Sequence, residues 1–312
     1  MPLQRKDLLG LQEVSPDEIR LILETAQSMK EILARPIRKV PTLRGKSIVT
    51  LFYEPSTRTR SSFELAAKIM SADITSISPT GSSIVKGESL KDTVATLQAM
   101  GADMFVVRHS ASGAPHFIAK QVPASVINAG DGMHEHPTQG LLDMLTILER
   151  KNKLEGLKVA IVGDIAHSRV ARSNMWGLTK MGATVRFVGP STLMPAEVDK
   201  LPVEVYTNLE EGIADCDVVN VLRIQLERQE RGLFPSIREY AALFGINHER
   251  VRAAKPDVMV MHPGPMNRGV EITPEVADSE CAVVTTQVTN GVAVRMALCY
   301  LFLGGSANVA AA

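Results

Sequence analysis

Short apolar runs and helical patterns alternate along most of the chain. Residues 47–53 form an apolar run rich in β-branched side chains that stops at Glu54-Pro55, which predicts a buried strand ending in a turn. Directly after it, apolar residues recur at helical spacing and predict a helix with one buried face: Phe63, Ala66, Ala67 and Met70. A strand, a polar turn and a helix therefore follow one another in this stretch.

The same order repeats through the chain. Helices are predicted over residues 15–33, where Ser15-Pro16 is a typical helix start, after Pro137, and over the apolar residues 292–303. Further strands are predicted at residues 73–79, 104–107, 124–129, 158–164, 184–188, 218–222 and 258–261. This alternation predicts an α/β fold of parallel sheets with helices on both faces, in which ligands bind beyond the carboxyl ends of the strands.

The length of the chain favours two domains, because 312 residues are many for a single core. The charged stretch at residues 149–153 is the best candidate for a linker. A second alternating unit begins after it at Lys158. We therefore predict two doubly wound parallel-sheet domains.

The helix after the first strand opens with hydroxyls and arginines, since residues 56–63 are Ser-Thr-Arg-Thr-Arg-Ser-Ser-Phe. A helix N-terminus presents backbone N–H groups and the positive end of the helix dipole, so these side chains predict a phosphate site. Alternatively, Ser56 is only a capping residue, and Arg58 and Arg60 are solvated. An arginine in the first turn opposes the helix dipole, and a bound anion resolves that conflict, so the phosphate site is favoured.

Four polar side chains fall just after predicted strands, namely Ser56, Arg58, Arg108 and His136, and Arg223 follows a later strand. Their common position at the ligand edge of a sheet is more informative than any one motif. Arg169 lies at a predicted helix start, where it can bind a carboxylate, with a plain surface arginine as the alternative. The residues after Gly163 do not form a G-x-G-x-x-G pattern, so we reject a dinucleotide site.

Composition excludes several classes of partner. Lysine plus arginine number 34 and aspartate plus glutamate also 34, and no basic stripe predicts a nucleic-acid or membrane surface. The polar N-terminus lacks the apolar core of a signal peptide. Cys216, Cys281 and Cys299 lie far apart, as expected for reduced, buried thiols of a cytoplasmic protein.

Taken together, the motifs closely resemble those of aspartate carbamoyltransferase catalytic chains. The pattern S-T-R-T-R-x-S-F at residues 56–63 and H-P-T-Q at residues 136–139 suit both aspartate and ornithine carbamoyltransferases. The R-x-Q pattern at residues 223–225 instead looks like that of the aspartate enzymes. The S-M-G and H-C-L-P segments expected of an ornithine enzyme are absent from the sequence, and residues 262–265 are His-Pro-Gly-Pro.

The resemblance implies an enzyme that joins carbamoyl phosphate to L-aspartate, giving N-carbamoyl-L-aspartate and phosphate in pyrimidine synthesis, without a metal or organic cofactor. It implies a carbamoyl-phosphate-binding domain over residues 1–148 and 289–312, to which the C-terminal helix returns. Residues 149–288 are then the aspartate-binding domain. The substrate-binding residues carried over are Ser56, Thr57, Arg58, Thr59, Ser82, Lys86, Arg108, His136, Gln139, Arg169, Arg223, Gln225, Pro263, Gly264 and Pro265.

The resemblance also implies a role for each group of residues. Residues 56–59 hold the phosphate, and the carbamoyl oxygen is bound by Thr59, Arg108 and His136. Gln139 and the carbonyls of the turn at residues 263–265 bind the carbamoyl amide. The two carboxylates of aspartate are held by two arginines, one of them supported by a glutamine: Arg169 and Arg223, with Gln225.

Ser82 and Lys86 match a loop that, in this family, enters the active site of a neighbouring subunit. The resemblance therefore implies at least a homotrimer with shared sites, and Lys86 joins Thr59, Arg108 and His136 as a catalytic candidate. Taken by itself, Lys86 is a solvated loop lysine. Glu54 matches a residue that pairs across the domains, with a simple turn carboxylate as the alternative. Gly264 departs from relatives that carry leucine, which leaves the packing of that turn open.

Two rival functions are weighed against this one. A carbamoyltransferase for another amine acceptor is disfavoured because the cationic tail of ornithine would not tolerate Arg223 beside it. A non-catalytic anion-binding subunit is disfavoured because Arg58, Lys86 and Arg108 are all present. The sequence leaves open whether trimers join regulatory chains, a dihydroorotase-like partner or nothing, and it leaves cooperativity, nucleotide feedback and thermal stability undetermined.

Overall fold

The computed structural model describes residues 3–77, 88–224 and 236–304. The chain divides into two compact units. The first unit comprises residues 1–142 and 289–312, and the second comprises residues 143–288.

The first unit is built on a four-stranded parallel sheet in the order β2-β1-β3-β4. Its strands are β1 (Ser47–Phe52), β2 (Asp73–Ile77), β3 (Met104–His109) and β4 (Ser125–Asp131). The helices that begin in this unit are α1 (Pro16–Ala34), α2 (Thr57–Ile69), α3 (Leu90–Ala99), α4 (Ala114–Ala119) and α5 (Pro137–Lys151).

The second unit is built on a five-stranded parallel sheet in the order β7-β6-β5-β8-β9. Its strands are β5 (Lys158–Val162), β6 (Thr184–Val188), β7 (Glu204–Tyr206), β8 (Val218–Val221) and β9 (Met259–Met261). The helices that begin here are α6 (Arg169–Lys180), α7 (Leu209–Ile213), α8 (Ile237–Phe244), α9 (His248–Val251), α10 (Pro274–Ala277) and α11 (Val284–Leu303).

Each sheet is buried on its central strands, as expected for a parallel sheet covered on both faces. In the first unit Leu51, Phe105 and Val126 are buried in one apolar cluster. In the second unit Val162 and Val219 belong to another. The predicted α/β class, with two parallel-sheet domains and a C-terminal helix that returns to the first, is therefore confirmed.

The strands are those that the apolar runs predicted, except for β7. Residues 204–206 form an edge strand with largely exposed side chains, so no apolar run announces it. The interpretation of residues 149–153 as a linker was wrong for residues 149–151, which continue α5. Basic side chains at 150 and 151 favour the C-terminal end of a helix because they complement its dipole.

A further sequence prediction concerns the cysteines, which were expected to be buried thiols. Cys216 and Cys299 are buried free thiols, whereas Cys281 is only partly buried. Within the described residues, no helix combines the length and the apolar character needed to cross a bilayer. The predicted loops that carry Ser82, Lys86 and Gln225 lie outside the described residues.

Candidate active site

In the first unit, the predicted phosphate residues open helix α2 directly after β1. Ser56 is the N-cap residue, and its hydroxyl makes no capping hydrogen bond. Thr57, Arg58 and Thr59 form the first turn, which contains no acidic residue. Thr59 is buried and Arg58 is exposed. The first turn therefore presents backbone N–H donors and a cation with no carboxylate of its own to offset them.

Arg108 lies at the carboxyl end of β3, beside the end of β1. The two strands pair so that Phe52 is opposite Arg108, and Tyr53 N–H donates to the Arg108 carbonyl at 2.8 Å. The start of α2 and Arg108 therefore share one sheet edge. The Arg108 guanidinium donates through Nη2 to Glu54 Oε1 at 2.7 Å and through Nη1 to the Ala129 carbonyl at 3.2 Å.

Glu54 is thus the partner of Arg108 inside the first unit. The side chains are 21% and 11% exposed respectively, so this ion pair is largely shielded from water. A shielded carboxylate fixes the orientation of the guanidinium more firmly than a surface pair does. The sequence predicted Glu54 only as a partner across the domains, and this contact with Arg108 was not foreseen.

His136 and Gln139 lie at the start of α5, after β4. His136 immediately precedes the helix and is 4% exposed, and Gln139 in the first turn is 9% exposed. The Thr138 hydroxyl lies 3.4 Å from His136 Nδ1. Burial makes hydrogen bonds from these side chains stronger than they would be in water.

A buried carboxylate that the sequence did not single out holds this edge in place. Asp131 ends β4, is fully buried and accepts from the Asn128 side-chain amide at 2.7 Å and from Gly113 N–H at 2.7 Å. It also accepts from Glu135 N–H at 3.2 Å and lies 3.2 Å from His134 Nδ1. Burial alone raises the pKa of Asp131, but these hydrogen bonds outweigh it and lower the pKa below its ordinary value.

A second buried carboxylate, Glu135, ties the N-terminal segment to the residue before His136. It accepts from Leu11 N–H at 2.7 Å and from Gln12 N–H at 3.3 Å. Gly10 lies against it so closely that a Cβ there would overlap Glu135 Oε1. A side chain at position 10 would therefore have to displace the Glu135 carboxylate.

In the second unit, predicted substrate-binding residues follow three adjacent strands. Arg169 begins α6 after β5 and is 3% exposed, and Arg223 follows β8 and is half-buried. The turn at residues 263–265 follows β9, the next strand in the sheet. Since β5, β8 and β9 are parallel neighbours, all three features lie at the same carboxyl edge.

The backbone of the turn at residues 263–265 is hydrogen-bonded to a buried pair of side chains, His262 and Glu271. Gly264 N–H donates to His262 Nδ1 at 2.8 Å, and the other ring nitrogen, Nε2, lies 3.1 Å from Glu271 Oε1. The Nδ1 lone pair is used by Gly264, so Nε2 carries the proton that Glu271 accepts. Glu271 Oε1 also accepts from Asn267 N–H at 2.6 Å. Gly264 has a φ of 63° and a cis bond to Pro265.

A buried network links this pair to the neighbouring elements. His262 N–H donates to Gln287 Oε1 at 3.0 Å, and Gln287 Nε2 donates to Asp143 Oδ1 at 2.8 Å. Asp143 is fully buried and also accepts from Asn174 on α6 at 2.8 Å. One signal for Asp143 was available in the sequence, because it interrupts the apolar run of Leu141, Leu142 and Leu145.

Comparison with known proteins identifies relatives over nearly the whole chain. Residues 6–149 match the carbamoyl-P binding domain of aspartate/ornithine carbamoyltransferases, and residues 155–302 match the Asp/Orn binding domain of the same family. The aspartate carbamoyltransferase catalytic subunit of Moorella thermoacetica is 65% identical over 306 residues, which cover 98% of this chain and 100% of that protein.

Two solved structures extend the likeness to the fold. Aspartate transcarbamoylase from Trypanosoma cruzi, in complex with carbamoyl phosphate and aspartate, is 30% identical with a TM-score of 0.87, covering 96% of this chain and 97% of that one. Ornithine carbamoyltransferase from Pyrococcus furiosus is 32% identical with a TM-score of 0.87, covering 98% and 99% respectively.

Proposed function

The chain belongs to the aspartate/ornithine carbamoyltransferase family and transfers the carbamoyl group of carbamoyl phosphate to the amine of L-aspartate, and we propose that it does so with the residues at the two sheet edges described above. The observation that carries the choice of aspartate is the 65% identity to a catalytic subunit of that activity over the whole of its length. The products are N-carbamoyl-L-aspartate and phosphate, and the pathway implied is pyrimidine biosynthesis.

The two domains divide the substrates between them. Residues 1–148 and 289–312 form the carbamoyl-phosphate domain, and residues 149–288 form the aspartate domain. This division is supported by the family descriptions, which give carbamoyl-P binding for residues 6–149 and Asp/Orn binding for residues 155–302.

The phosphate is held by the first turn of α2. Ser56, Thr57 and Thr59 provide hydroxyls, Arg58 provides a cation, and the helix start provides N–H donors. The lack of an acidic residue in that turn and of a capping bond from Ser56 support this role, because neither group competes with an anion for the N–H donors of the helix start.

The carbamoyl oxygen is bound by Thr59, Arg108 and His136. The tetrahedral intermediate places negative charge on that oxygen, so donors fixed around it stabilise the transition state. Removing one such donor typically lowers the rate by about 100- to 1,000-fold. The burial of Thr59 and His136 supports this role, because shielded donors interact more strongly with a developing charge.

Phosphate is a good leaving group and can accept the proton of the attacking amine. His136 therefore acts as a hydrogen-bond donor and not as an obligatory base. Positioning of the two substrates contributes more than any single donor, on the order of 7–11 kcal/mol for well-aligned reactants.

The carbamoyl amide is bound by the Gln139 side chain and by carbonyl groups of residues 263–265. The buried His262–Glu271 pair supports this role, because it fixes the backbone of the turn through Gly264 N–H. A backbone contact needs no particular side chain, so glycine at position 264 preserves it.

Arg169 and Arg223 bind the two carboxylates of aspartate, with Gln225 supporting Arg223. Arginine suits this task because its planar guanidinium donates two parallel hydrogen bonds to a carboxylate. The position of Arg169 at a helix N-terminus adds the favourable end of the helix dipole. The same charges disfavour an acceptor with a cationic tail.

The active protein is a homotrimer with shared sites, in which Ser82 and Lys86 reach the substrates of a neighbouring subunit, and it works in the cytoplasm. Support for an assembly comes from the name "catalytic subunit" of the Moorella relative. The trimers stand alone or join regulatory or dihydroorotase-like chains.

The direct test is product formation by the purified chain from carbamoyl phosphate and L-aspartate, with L-ornithine as the competing acceptor. We expect carbamoyl-aspartate alone. Carbamoyl-ornithine at a comparable rate would contradict the assignment of the second substrate.

His136→Ala should lower turnover by about 100- to 1,000-fold and leave it detectable. Complete loss in a folded variant would instead make His136 indispensable.

The shared site is tested by mixing two inactive variants, Lys86→Ala and Arg108→Ala, after dissociation and reassembly. Mixed trimers contain some sites with both native residues, so activity should return only on mixing. An active monomer in analytical ultracentrifugation would overturn the trimer.

A further inference from the structure

Two histidines and an aspartate come together at the edge of the first sheet, beside the proposed substrate residues but not among them. His116 lies on α4, which follows β3, while Asp131 ends β4 and His134 follows three residues later. One potential ligand atom from each of the three lies within 4.8 Å of the other two. The imidazole rings meet edge to face, with centroids 5.3 Å apart and an interplanar angle of 70°.

We propose that His116, Asp131 and His134 bind a divalent transition-metal ion of the zinc class. Two imidazole nitrogens and one carboxylate oxygen are ligands that zinc prefers, and three protein ligands leave a fourth position for water. Both histidines are partly exposed while Asp131 is buried, so the open position faces solvent. Zinc–ligand bonds of about 2.0–2.2 Å require only modest closure of the three side chains around the ion.

The carboxylate is already organised for this task. The groups that fix the Asp131 carboxylate come from three places in the chain: Gly113 N–H, the Asn128 amide and Glu135 N–H. Metal ligands are usually oriented by such a second layer of hydrogen bonds.

One ligand candidate also has an unused polar atom. His116 Nδ1 is buried and has no hydrogen-bond partner among the described residues. A buried polar atom without a partner is costly, and coordination of the ion through Nδ1 would give this atom a partner. His134 Nδ1, in contrast, is hydrogen-bonded to Asp131 and must exchange that bond for the ion.

The ion would join the connection after β3 to the connection after β4. Strand β3 carries Arg108 and β4 carries Asp131. An ion bound to the segments that follow both strands would therefore stabilise this edge of the sheet. None of the three ligands is assigned to a substrate, and the proposal is independent of the carbamoyl-transfer reaction. Its readouts are therefore metal affinity and thermal stability.

The test begins with the full chain, freed of metal by chelation and titrated with Zn²⁺ against a chromophoric chelator. We expect one ion per chain. His116→Ala and His134→Ala should each weaken binding by at least about tenfold. The matched control is His248→Ala, which removes an exposed imidazole from α9 and should leave the affinity unchanged.

Co²⁺ and Cu²⁺ report on the ligands directly. Co²⁺ should give the visible d–d bands of a four-coordinate site, and the electron paramagnetic resonance spectrum of bound Cu²⁺ should show two nitrogen ligands. Each variant should lose one of these nitrogens. Zn²⁺ should also raise Tm of the wild-type chain by mass action and raise it less in either variant.

Binding should weaken in acid, because protonated imidazole cannot bind a metal. His109 lies near the same carboxylate, and its own pKa is lowered by burial, although Asp131 and Glu54 oppose that shift. His109→Gln is therefore a second control. Circular dichroism confirms that each variant is folded, and His116→Asn and His134→Asn replace any alanine variant that is not.

Three results would overturn the proposal. One is an affinity for Zn²⁺ no better than that of the double variant His116→Ala/His134→Ala. Another is equal loss of affinity in His248→Ala, which would assign binding to scattered surface imidazoles. The third is a Cu²⁺ spectrum unchanged by either single variant.

Discussion

Helices α2 and α6 start at corresponding places in the two sheets, yet their first turns differ. Each follows a central strand, has serine at the N-cap and carries an arginine and no acidic residue in the first turn. Ser168 caps α6 in the usual way, accepting from Ala171 N–H at 3.1 Å, whereas Ser56 makes no capping bond. The start of α6 is closed by its own side chain, and the start of α2 is left open.

The difference agrees with the two kinds of anion that we propose for these helix starts, a phosphate at α2 and a carboxylate at α6. An open helix start offers backbone N–H groups and suits the several oxygens of a phosphate. A capped start offers chiefly the arginine it carries and suits a single carboxylate. The two arginines also differ in burial, because Arg58 is exposed and Arg169 is buried.

The largest expected effect separates the two arginines by substrate. Arg58→Ala should raise KM for carbamoyl phosphate, and Arg169→Ala should raise KM for aspartate, each by roughly 10- to 100-fold, since a charged hydrogen bond contributes about 1.5–3 kcal/mol. Steady-state kinetics with each substrate varied in turn makes the measurement. The controls are Arg60→Ala on α2 and Arg172→Ala on α6. If both main variants affected the same KM, the comparison would fail.

The next largest effect concerns the buried carboxylate of Asp131, at the end of β4. Asp131→Asn should lower the free energy of unfolding by about 2 kcal/mol, because an amide cannot accept all the N–H groups that the carboxylate accepts. Urea unfolding gives the shift. Asp103→Asn is the control, a partly exposed carboxylate that accepts Ser47 N–H at 2.8 Å. An equal loss in both would show that burial of Asp131 does not matter.

The difference in stability between wild type and Asp131→Asn should also depend on pH. The pKa of Asp131 is lower in the folded chain, so its contribution is complete above the unfolded pKa of about 3.9 and is lost as the pH falls through the folded value. The gap in stability between wild type and Asp131→Asn should therefore be constant from pH 7 to pH 5 and shrink below pH 4. A gap that widens in acid would have the wrong sign.

A smaller effect is expected at the second edge. Glu271→Gln keeps a carbonyl that can accept from Asn267 and His262 but removes the charge, so stability should fall by about 1 kcal/mol. The turn at residues 263–265 should loosen, and KM for carbamoyl phosphate should rise by a few-fold. The variant should still fold. Hydrogen exchange at Gly264 N–H measures the loosening. If the Gly264 N–H group were equally protected from exchange in the variant, the His262–Glu271 pair would not be what positions the turn.

The smallest effect compares the serines at the two helix starts. Ser168→Ala should cost about 1 kcal/mol of stability, whereas Ser56→Ala should cost only a few tenths, because only Ser168 makes the capping bond. Kinetics should show the reverse order, with Ser56→Ala alone weakening carbamoyl phosphate binding. Equal costs in unfolding experiments would mean that Ser56 caps its helix after all.

The sequence predicted the elements with apolar cores and the edge at which ligands bind. The apolar runs at residues 47–53 and 184–188 could only be buried strands, so their place in the sheets followed. The edge strand β7 has exposed side chains and was missed for that reason. Residues 149–151 looked like a linker because charge is typical of loops, but those same charges suit the end of a long helix.

The residues of the candidate site also fall into those that the sequence pointed to and those that it did not. The positions of Arg108 at a strand end and Arg169 at a helix start were predicted from the sequence, and their roles in binding stay predictions. The supporting carboxylates Asp131, Glu135 and Glu271 were not foreseen. An acidic residue in a loop usually faces water, and only the folded chain brings their donors together from distant positions, such as Leu11 for Glu135.

The contact between Gly10 and Glu135 has a practical consequence for anyone who modifies this protein. The residues before α1 could be taken for a segment to trim or replace by a tag, yet the Leu11 and Gln12 N–H groups donate hydrogen bonds to the buried Glu135 carboxylate next to His136. Truncation there would strand that acid, and a bulkier residue at position 10 would push against it. Purification handles therefore belong elsewhere, and damage at the amino end should appear as slow catalysis before it appears as misfolding.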